Sequence, residues 1–206
     1  MKQIKIPFRY QSTEYDCVPT TFTNALQYLF EREEIPPAAI QKIMQYSLDT
    51  VTVNKKGEYG RGSGTTDLAA QMIMQWFRYH SKGKFAFKKC EYMEVDHIHL
   101  RQKNKIMLCI NNGGIALIRV WTGSCFHYIL ALGLDENDSS KLLFFDPYHR
   151  IRRFTGEDAN HIEWLGENGK QEANLRISRE RLDSYGDEKY SMGAVDEREC
   201  CLLERL

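Results

Sequence analysis

The 206-residue sequence predicts an α+β fold, with helices in the first part of the chain and an antiparallel sheet in the second. Three observations carry that expectation. Apolar side chains recur at helical spacing between residues 17 and 79, and after residue 80 they gather into short extended runs. The polar stretches Asn111-Asn112-Gly113-Gly114 and Asp135 to Ser140 then divide those runs at hairpin-like intervals.

The first helix is expected to begin at Cys17. Asp16 suits its N-cap, Pro19 falls in the first turn where a missing N–H costs little, and Phe22, Leu26 and Leu29-Phe30 repeat at the helical period. Pro36-Pro37 closes this segment and opens a second helix, Ala38 to Tyr46. Residues 54–64 hold four glycines and read as a surface loop. A third helix, Thr66 to Tyr79, carries Leu68, Met72, Trp76 and Tyr79 as one apolar stripe. Beyond it, Phe85–Cys90 reads as a strand and Val95–Gln102 as a short helix. The segments Ile106–Ile110, Ile115–Trp121, Phe126–Leu134, Lys141–Asp146 and His149–Phe154 read as further strands. Residues 156–206 are more polar. There Asn174–Ile177 and Cys200–Leu203 suit strands, and Arg179–Ser184 a helical turn. The expectation is one domain over residues 1–206, with its core at about 8–155 and residues 156–206 extending the sheet.

Hydrophobic residues make up 42% of the chain and charged residues 27%, enough for one core without disulfide or metal staples. Twenty-eight basic residues balance 28 acidic ones, so no global field favours nucleic acid or an anionic membrane. No apolar run approaches the roughly 18 residues of a spanning helix, and Met1 to Phe8 lacks the apolar centre of a secretory leader. The six cysteines (17, 90, 109, 125, 200 and 201) form no CxxC pair. Together these point to a reducing, cytoplasmic setting in which most cysteines are buried thiols.

Cys17 has a different setting. At a helix start it meets the positive end of the helix dipole, which favours thiolate. A cysteine hydrolase needs such a thiolate near a histidine, a third group to fix that histidine, and donors for the developing oxyanion. His127 opens the run Tyr128 to Leu134, and Asp146 closes the run Leu142 to Phe145. If these strands pair through the 135–140 turn, one strand's start meets the other's end, and the carboxylate can bond an imidazole N–H. Taken singly, each residue has a plainer reading: a packed cysteine, a satisfied strand-end histidine, an Asp-Pro turn. Their joint order carries the weight.

Cys125 shares the face of His127 if both are extended. It reads as a small residue packing beside the site rather than a metal ligand or second nucleophile, since no further ligands fall at zinc-like spacing. His97 and His99 read as surface histidines, Cys200-Cys201 as strand packing, and Trp76, Trp121 and Trp164 as core or cleft wall. His149, after Asp-Pro-Tyr, is a secondary candidate for substrate contact. No cofactor or metal is expected.

Gln11, in Gln11-Ser-Thr-Glu-Tyr-Asp16-Cys17-Val-Pro19-Thr, resembles the glutamine that precedes the nucleophile in papain-type peptidases. The Asp-Cys-x-Pro signature, followed downstream by His127-Tyr-Ile-Leu and Asp146-Pro-Tyr, resembles the C39-like branch of the papain-like superfamily. That branch includes domains that remove double-glycine leaders from bacteriocin-type peptides. The resemblance spans residues 8–155 in order, with Gly62-Ser63-Gly64-Thr65 as a weaker echo. It implies a papain-like fold in which the Cys17 helix packs on the sheet. It also implies a Cys17-His127-Asp146 triad, and an oxyanion hole made by Gln11 and the Cys17 backbone N–H. Val18 departs from the pattern, standing where the family usually has glycine, and it is expected to narrow the cleft or to alter the backbone approach beside the nucleophile.

The implied activity is that of a cysteine peptidase or amidase, acting on a peptide or amide-containing substrate through a thioacyl-enzyme. An acyl or peptidyl transferase would use the same triad with an amine as acceptor, and an idle binding module would keep only the cleft. Neither nucleic acid nor membrane is an expected partner.

Overall fold

The computed structural model describes residues 6–48, 52–53, 59–60, 64–101, 104–150, 153–166 and 173–206. Its helical part comprises α1 (Cys17–Leu29), α2 (Pro37–Tyr46) and α3 (Asp67–His80), with a small ribbon of β1 (Thr52–Val53) and β2 (Tyr59–Gly60) between α2 and α3. There follow β3 (Phe87–Glu94), α4 (Lys105–Asn111), β4 (Ile115–Trp121), β5 (Phe126–Leu134) and β6 (Lys141–Phe145). The last part holds α5 (Asp158–His161), β7 (Ile162–Trp164), β8 (Leu175–Ser178), α6 (Arg179–Leu182) and β9 (Glu199–Arg205). β3 to β9 form one antiparallel seven-stranded sheet in the order β3-β9-β4-β5-β6-β8-β7. The architecture is mixed, with helices on an antiparallel sheet.

Alternation along the strands sets the layering. In β4, Ile115 and Leu117 join the cluster containing α1, α2 and α3, while Ala116, Ile118 and Val120 join the cluster containing α4 and Leu182. Both faces of the sheet are therefore covered, which is why its central strands are apolar almost without interruption. Each fully buried Ile, Leu or Phe there contributes about 1.5–3 kcal/mol. α1 is buried on nearly every side, including the polar Thr21, Thr23 and Asn24. Thr21 shows how those groups are satisfied. Its hydroxyl lies 2.7 Å from the Cys17 carbonyl and 3.1 Å from the Tyr128 carbonyl, so it fastens the first turn of α1 to β5.

Several expectations need correction. Ile106–Ile110 is not a strand but most of α4. Asn104 caps the helix by accepting from Met107 N–H at 2.8 Å, and Ile106, Met107, Cys109 and Ile110 face inward while Leu108 is exposed. A short apolar run suits either period, and here the cap decides it. The chain leaves α4 at Gly114, where a Cβ would meet Cys109 Sγ at 2.6 Å and the Leu203 carbonyl at 2.7 Å, so only glycine fits.

The stripe assigned to the third helix also points the wrong way. Ala69, Ala70, Ile73, Met74 and Phe77 are buried, whereas Leu68, Met72 and Tyr79 are exposed. Two apolar stripes compete on this helix, and the one with alanines allows closer packing. Of Val95–Gln102 only Val95–His97 is helical, as a 3-10 turn, and residues 102 and 103 lie outside the described residues. No strand occupies the described part of His149–Phe154; residues 151 and 152 lie outside it. The expected loop at 54–64 likewise falls mostly outside, apart from β2 and Gly64.

The last fifty residues do more than extend the sheet. β8 and β7 add to the β6 edge, but β9 enters the interior, pairing with β3 on one side and β4 on the other.

Candidate active site

Cys17 and His127 line one cleft of about 480 Å³, with Gln11, Tyr15, Gly64, Thr122, Cys125, Phe126, Tyr148, Arg150 and Tyr190 around them. Local structure explains how each side chain arrives. Cys17 is the first residue of α1, and the Thr21 contact holds that turn against β5 next to His127. β5 and β6 pair up to Leu130 opposite Phe145, so Asp146 sits just beyond the last pair and His127 three residues before Leu130. The two side chains meet diagonally across the strand ends.

His127 Nε2 lies 2.7 Å from Asp146 Oδ1. An ionised carboxylate only accepts, so Nε2 carries the proton of this bond. Asp146 is wholly buried and accepts at both oxygens: Oδ1 also takes the Tyr148 N–H at 2.8 Å, and Oδ2 takes the Tyr190 hydroxyl. Asn174 clips its backbone from both sides, its Oδ1 accepting from the Asp146 N–H and its Nδ2 donating to the Asp146 carbonyl, each at 2.8 Å. Burial pushes the Asp146 carboxyl up, but the His127 charge and the hydrogen bonds from His127, Tyr190 and Tyr148 outweigh it and hold the group below the usual carboxylate range. Burial alone would likewise lower His127. The Asp146 charge and hydrogen bond, with a smaller contribution from the neighbouring Cys17, reverse this and push the imidazole up to about 10. The ring thus bonds the carboxylate while lining the same cleft as the Cys17 thiol, and its raised pKa favours the protonated form at neutral pH.

Gln11 stands at the mouth of this grouping. Its backbone N–H donates to the Pro147 carbonyl at 2.8 Å, and its Nε2 donates to the Thr13 carbonyl at 2.8 Å. A carbonyl needs a donor, which fixes the amide's orientation, and among the described residues no acceptor takes the second Nε2 proton. Asp16 does not cap α1 as expected. Its carboxylate turns back to accept from Ser12 N–H at 3.0 Å and from Thr13 N–H and Oγ1 at 2.8 Å each. Burial would raise Asp16, but those bonds prevail and keep it low. The first N–H groups of α1 consequently receive no side-chain cap from Asp16.

Val18 corrects another expectation. It is 1% exposed, packed in the α1 layer, and does not line the cleft, so its side chain does not narrow it. Cys125 lines the cleft from the β4–β5 turn, where Thr122 N–H donates to the Cys125 carbonyl at 3.0 Å. Among the described residues no group of three or more His, Cys, Asp or Glu side chains is placed to hold a metal, and no helix is long and apolar enough to cross a membrane.

Three residues at the site escaped the sequence reading in any functional sense: Asn174, Tyr190 and Arg150. All sit far along the chain from Cys17, and no local pattern marks them. Comparison of the chain with protein-family models, with curated proteins and with solved structures found no match in any of the three.

Proposed function

We propose that this chain is a papain-like cysteine hydrolase of the C39-like type, cleaving a peptide or amide bond. The observation that carries the reading is the grouping of Cys17 and His127 at one cleft, with Asp146 2.7 Å from the imidazole Nε2. A thiol beside a protonated imidazole exchanges its proton readily and attacks as thiolate. Cys17 Sγ adds to the substrate carbonyl carbon, and the carbonyl electron pair moves onto oxygen. The uncommitted Gln11 amide proton and the Cys17 backbone N–H would stabilise that oxyanion. His127 then gives its proton to the leaving amine as the C–N bond breaks, leaving a thioacyl-enzyme. The returned base takes a proton from water, whose oxygen displaces Cys17 and releases the acid.

Profiling against a peptide and amide library tests this, wild type against Cys17→Ala. Turnover that depends on Cys17 and releases a free acid supports hydrolysis. Products that appear only when an amine is added point to transfer instead. Cleavage that survives Cys17→Ala overturns the reading.

A further inference from the structure

Asp146 is not the end of the polar chain behind His127. Its Oδ2 accepts from the Tyr190 hydroxyl, and the oxygen of that hydroxyl accepts from an Arg150 guanidinium N–H at 2.8 Å. The directions are fixed by chemistry alone. A guanidinium only donates, so the Tyr190 oxygen receives from Arg150 and its single proton must go to the carboxylate. The carboxylate is then pinned at both oxygens, by His127 and the Tyr148 N–H on Oδ1 and by Tyr190 on Oδ2. It cannot turn without breaking a buried hydrogen bond.

Tyr190 is itself held with unusual care. Its backbone lies in the left-handed region at φ 62°, a conformation that costs a non-glycine residue on the order of 1 kcal/mol or more. Bonds on either side of it keep it there: the Tyr190 N–H to the Trp121 carbonyl at 2.5 Å, and the Trp121 N–H to the Ser191 carbonyl at 2.8 Å. Arg150 is clasped by the Phe154, Tyr190 and Tyr148 rings at 4.7, 5.6 and 5.8 Å. Burial first, and then the Asp146 charge, keep the Tyr190 phenol protonated far above neutrality, so it remains a donor wherever the protein is folded.

We propose that Tyr190, locked by Arg150, is a positioning residue of the site: its hydroxyl fixes the Asp146 carboxylate that aims His127 at Cys17. This rests on the cysteine-hydrolase reading and adds two members to it. It also makes the segment after residue 155 part of the chemistry, since Tyr190 belongs to the layer opposite α1 and reaches Asp146 from that side. The groups facing the carboxylate are His127 from β5, the Tyr148 N–H, and Tyr190 with Arg150 behind it.

Iodoacetamide alkylation of Cys17, followed by peptide mapping from pH 4 to 9, tests the proposal without a substrate. In Tyr190→Phe the ring stays and only the hydroxyl goes. Asp146 then loses a stabilising donor and takes up its proton at a higher pH, the imidazolium loses its counter-charge, and the thiolate–imidazolium pair comes apart sooner. The acid limb of the profile is therefore expected to move up by on the order of one pH unit, with alkylation at a fixed pH on that limb slowed by up to about tenfold. A purely structural tyrosine would lower the melting temperature and leave the limb in place, and a profile superimposing on wild type overturns the proposal. If Tyr190→Phe does not fold, Arg150→Gln carries the test, with a shift in the same direction expected and an unmoved limb overturning it. His127→Ala separates the two levels. If it too keeps the wild-type profile, the cysteine–histidine pairing itself is wrong. If it loses the profile while Tyr190→Phe keeps it, only the tyrosine's role is wrong.

Discussion

The Gln11 backbone N–H and the Pro147 carbonyl, 2.8 Å apart, tie the loop ahead of Cys17 to the residue that follows Asp146. The helical layer and the sheet are thus stitched together at the cleft itself, with the Thr21 hydroxyl adding a second tie between α1 and β5. Because the stitch uses Gln11's backbone, the side chain can be removed without cutting it.

Gln11→Ala is accordingly expected to keep its fold and its Cys17 alkylation while losing turnover by about 10²–10³ in kcat, the cost of one oxyanion donor. The measurement pairs steady-state kinetics on a substrate from the library with iodoacetamide labelling of the same preparation. Unchanged turnover would remove Gln11 from the oxyanion hole.

Thiol mapping should sort the six cysteines by environment. Burial raises Cys90 to about 12 and Cys109 to about 11, and it raises Cys200 and Cys201 well above the ordinary thiol range. Those four should resist limited iodoacetamide at pH 7.5. Cys17 should label first, ahead of the exposed Cys125. Equal labelling of the two would return Cys125 to consideration as a nucleophile.

Stability should depend on pH through the His127–Asp146 pair. The imidazole is raised to about 10 when folded, against about 6.5 when unfolded, so its contribution is complete below about pH 6.5 and is lost as pH rises through 10. The Asp146 carboxyl is lowered on folding, so its contribution holds above about pH 4 and disappears as acid protonates the folded form. Urea unfolding of Asp146→Asn between pH 6 and 10 should give a lower stability at pH 7 and a flatter decline than wild type. Parallel slopes would show that the pair is not what titrates.

Arg198 anchors the segment that carries Tyr190. Its buried guanidinium donates to the carbonyls of Gly193, Ile98, Asp183 and Ser184 and pairs with Asp183 Oδ1 at 2.6 Å. Arg198→Met leaves those acceptors and a carboxylate without their partner, a loss of about 3–5 kcal/mol. Thermal denaturation should fall by on the order of 10 °C. A shift of a degree or two would mean that water replaces the guanidinium.

What the sequence disclosed and what it hid divide by distance along the chain. The α1 start at Cys17 and the β5–β6 hairpin rest on signals within a few residues of each other, and the hairpin alone brings His127 to Asp146. The Ile106–Ile110 run failed because five apolar residues satisfy either period, and the stripe on α3 failed because that helix carries two. Asp16 was legible as a polar residue at a helix start, but not the turn at Ser12 and Thr13 that drew its carboxylate away. Asn174 and Tyr190 reach Asp146, and Arg150 reaches Tyr190, only through tertiary packing, and no spacing announces them.

The position of β9 has a consequence for timing. Arg205 lies opposite Phe87, and Leu203 lies opposite Ile115, so the gap between β3 and β4 is filled by residues made after the other strands of this sheet. Until then two strand edges stand open to neighbouring nascent chains, a period of aggregation risk that chaperones would have to cover. Closure of the sheet also waits on contacts between distant parts of the chain, which makes folding slow. The Cys17 thiol, made well before β9, is thereby kept without the finished sheet beneath it until β9 has been made.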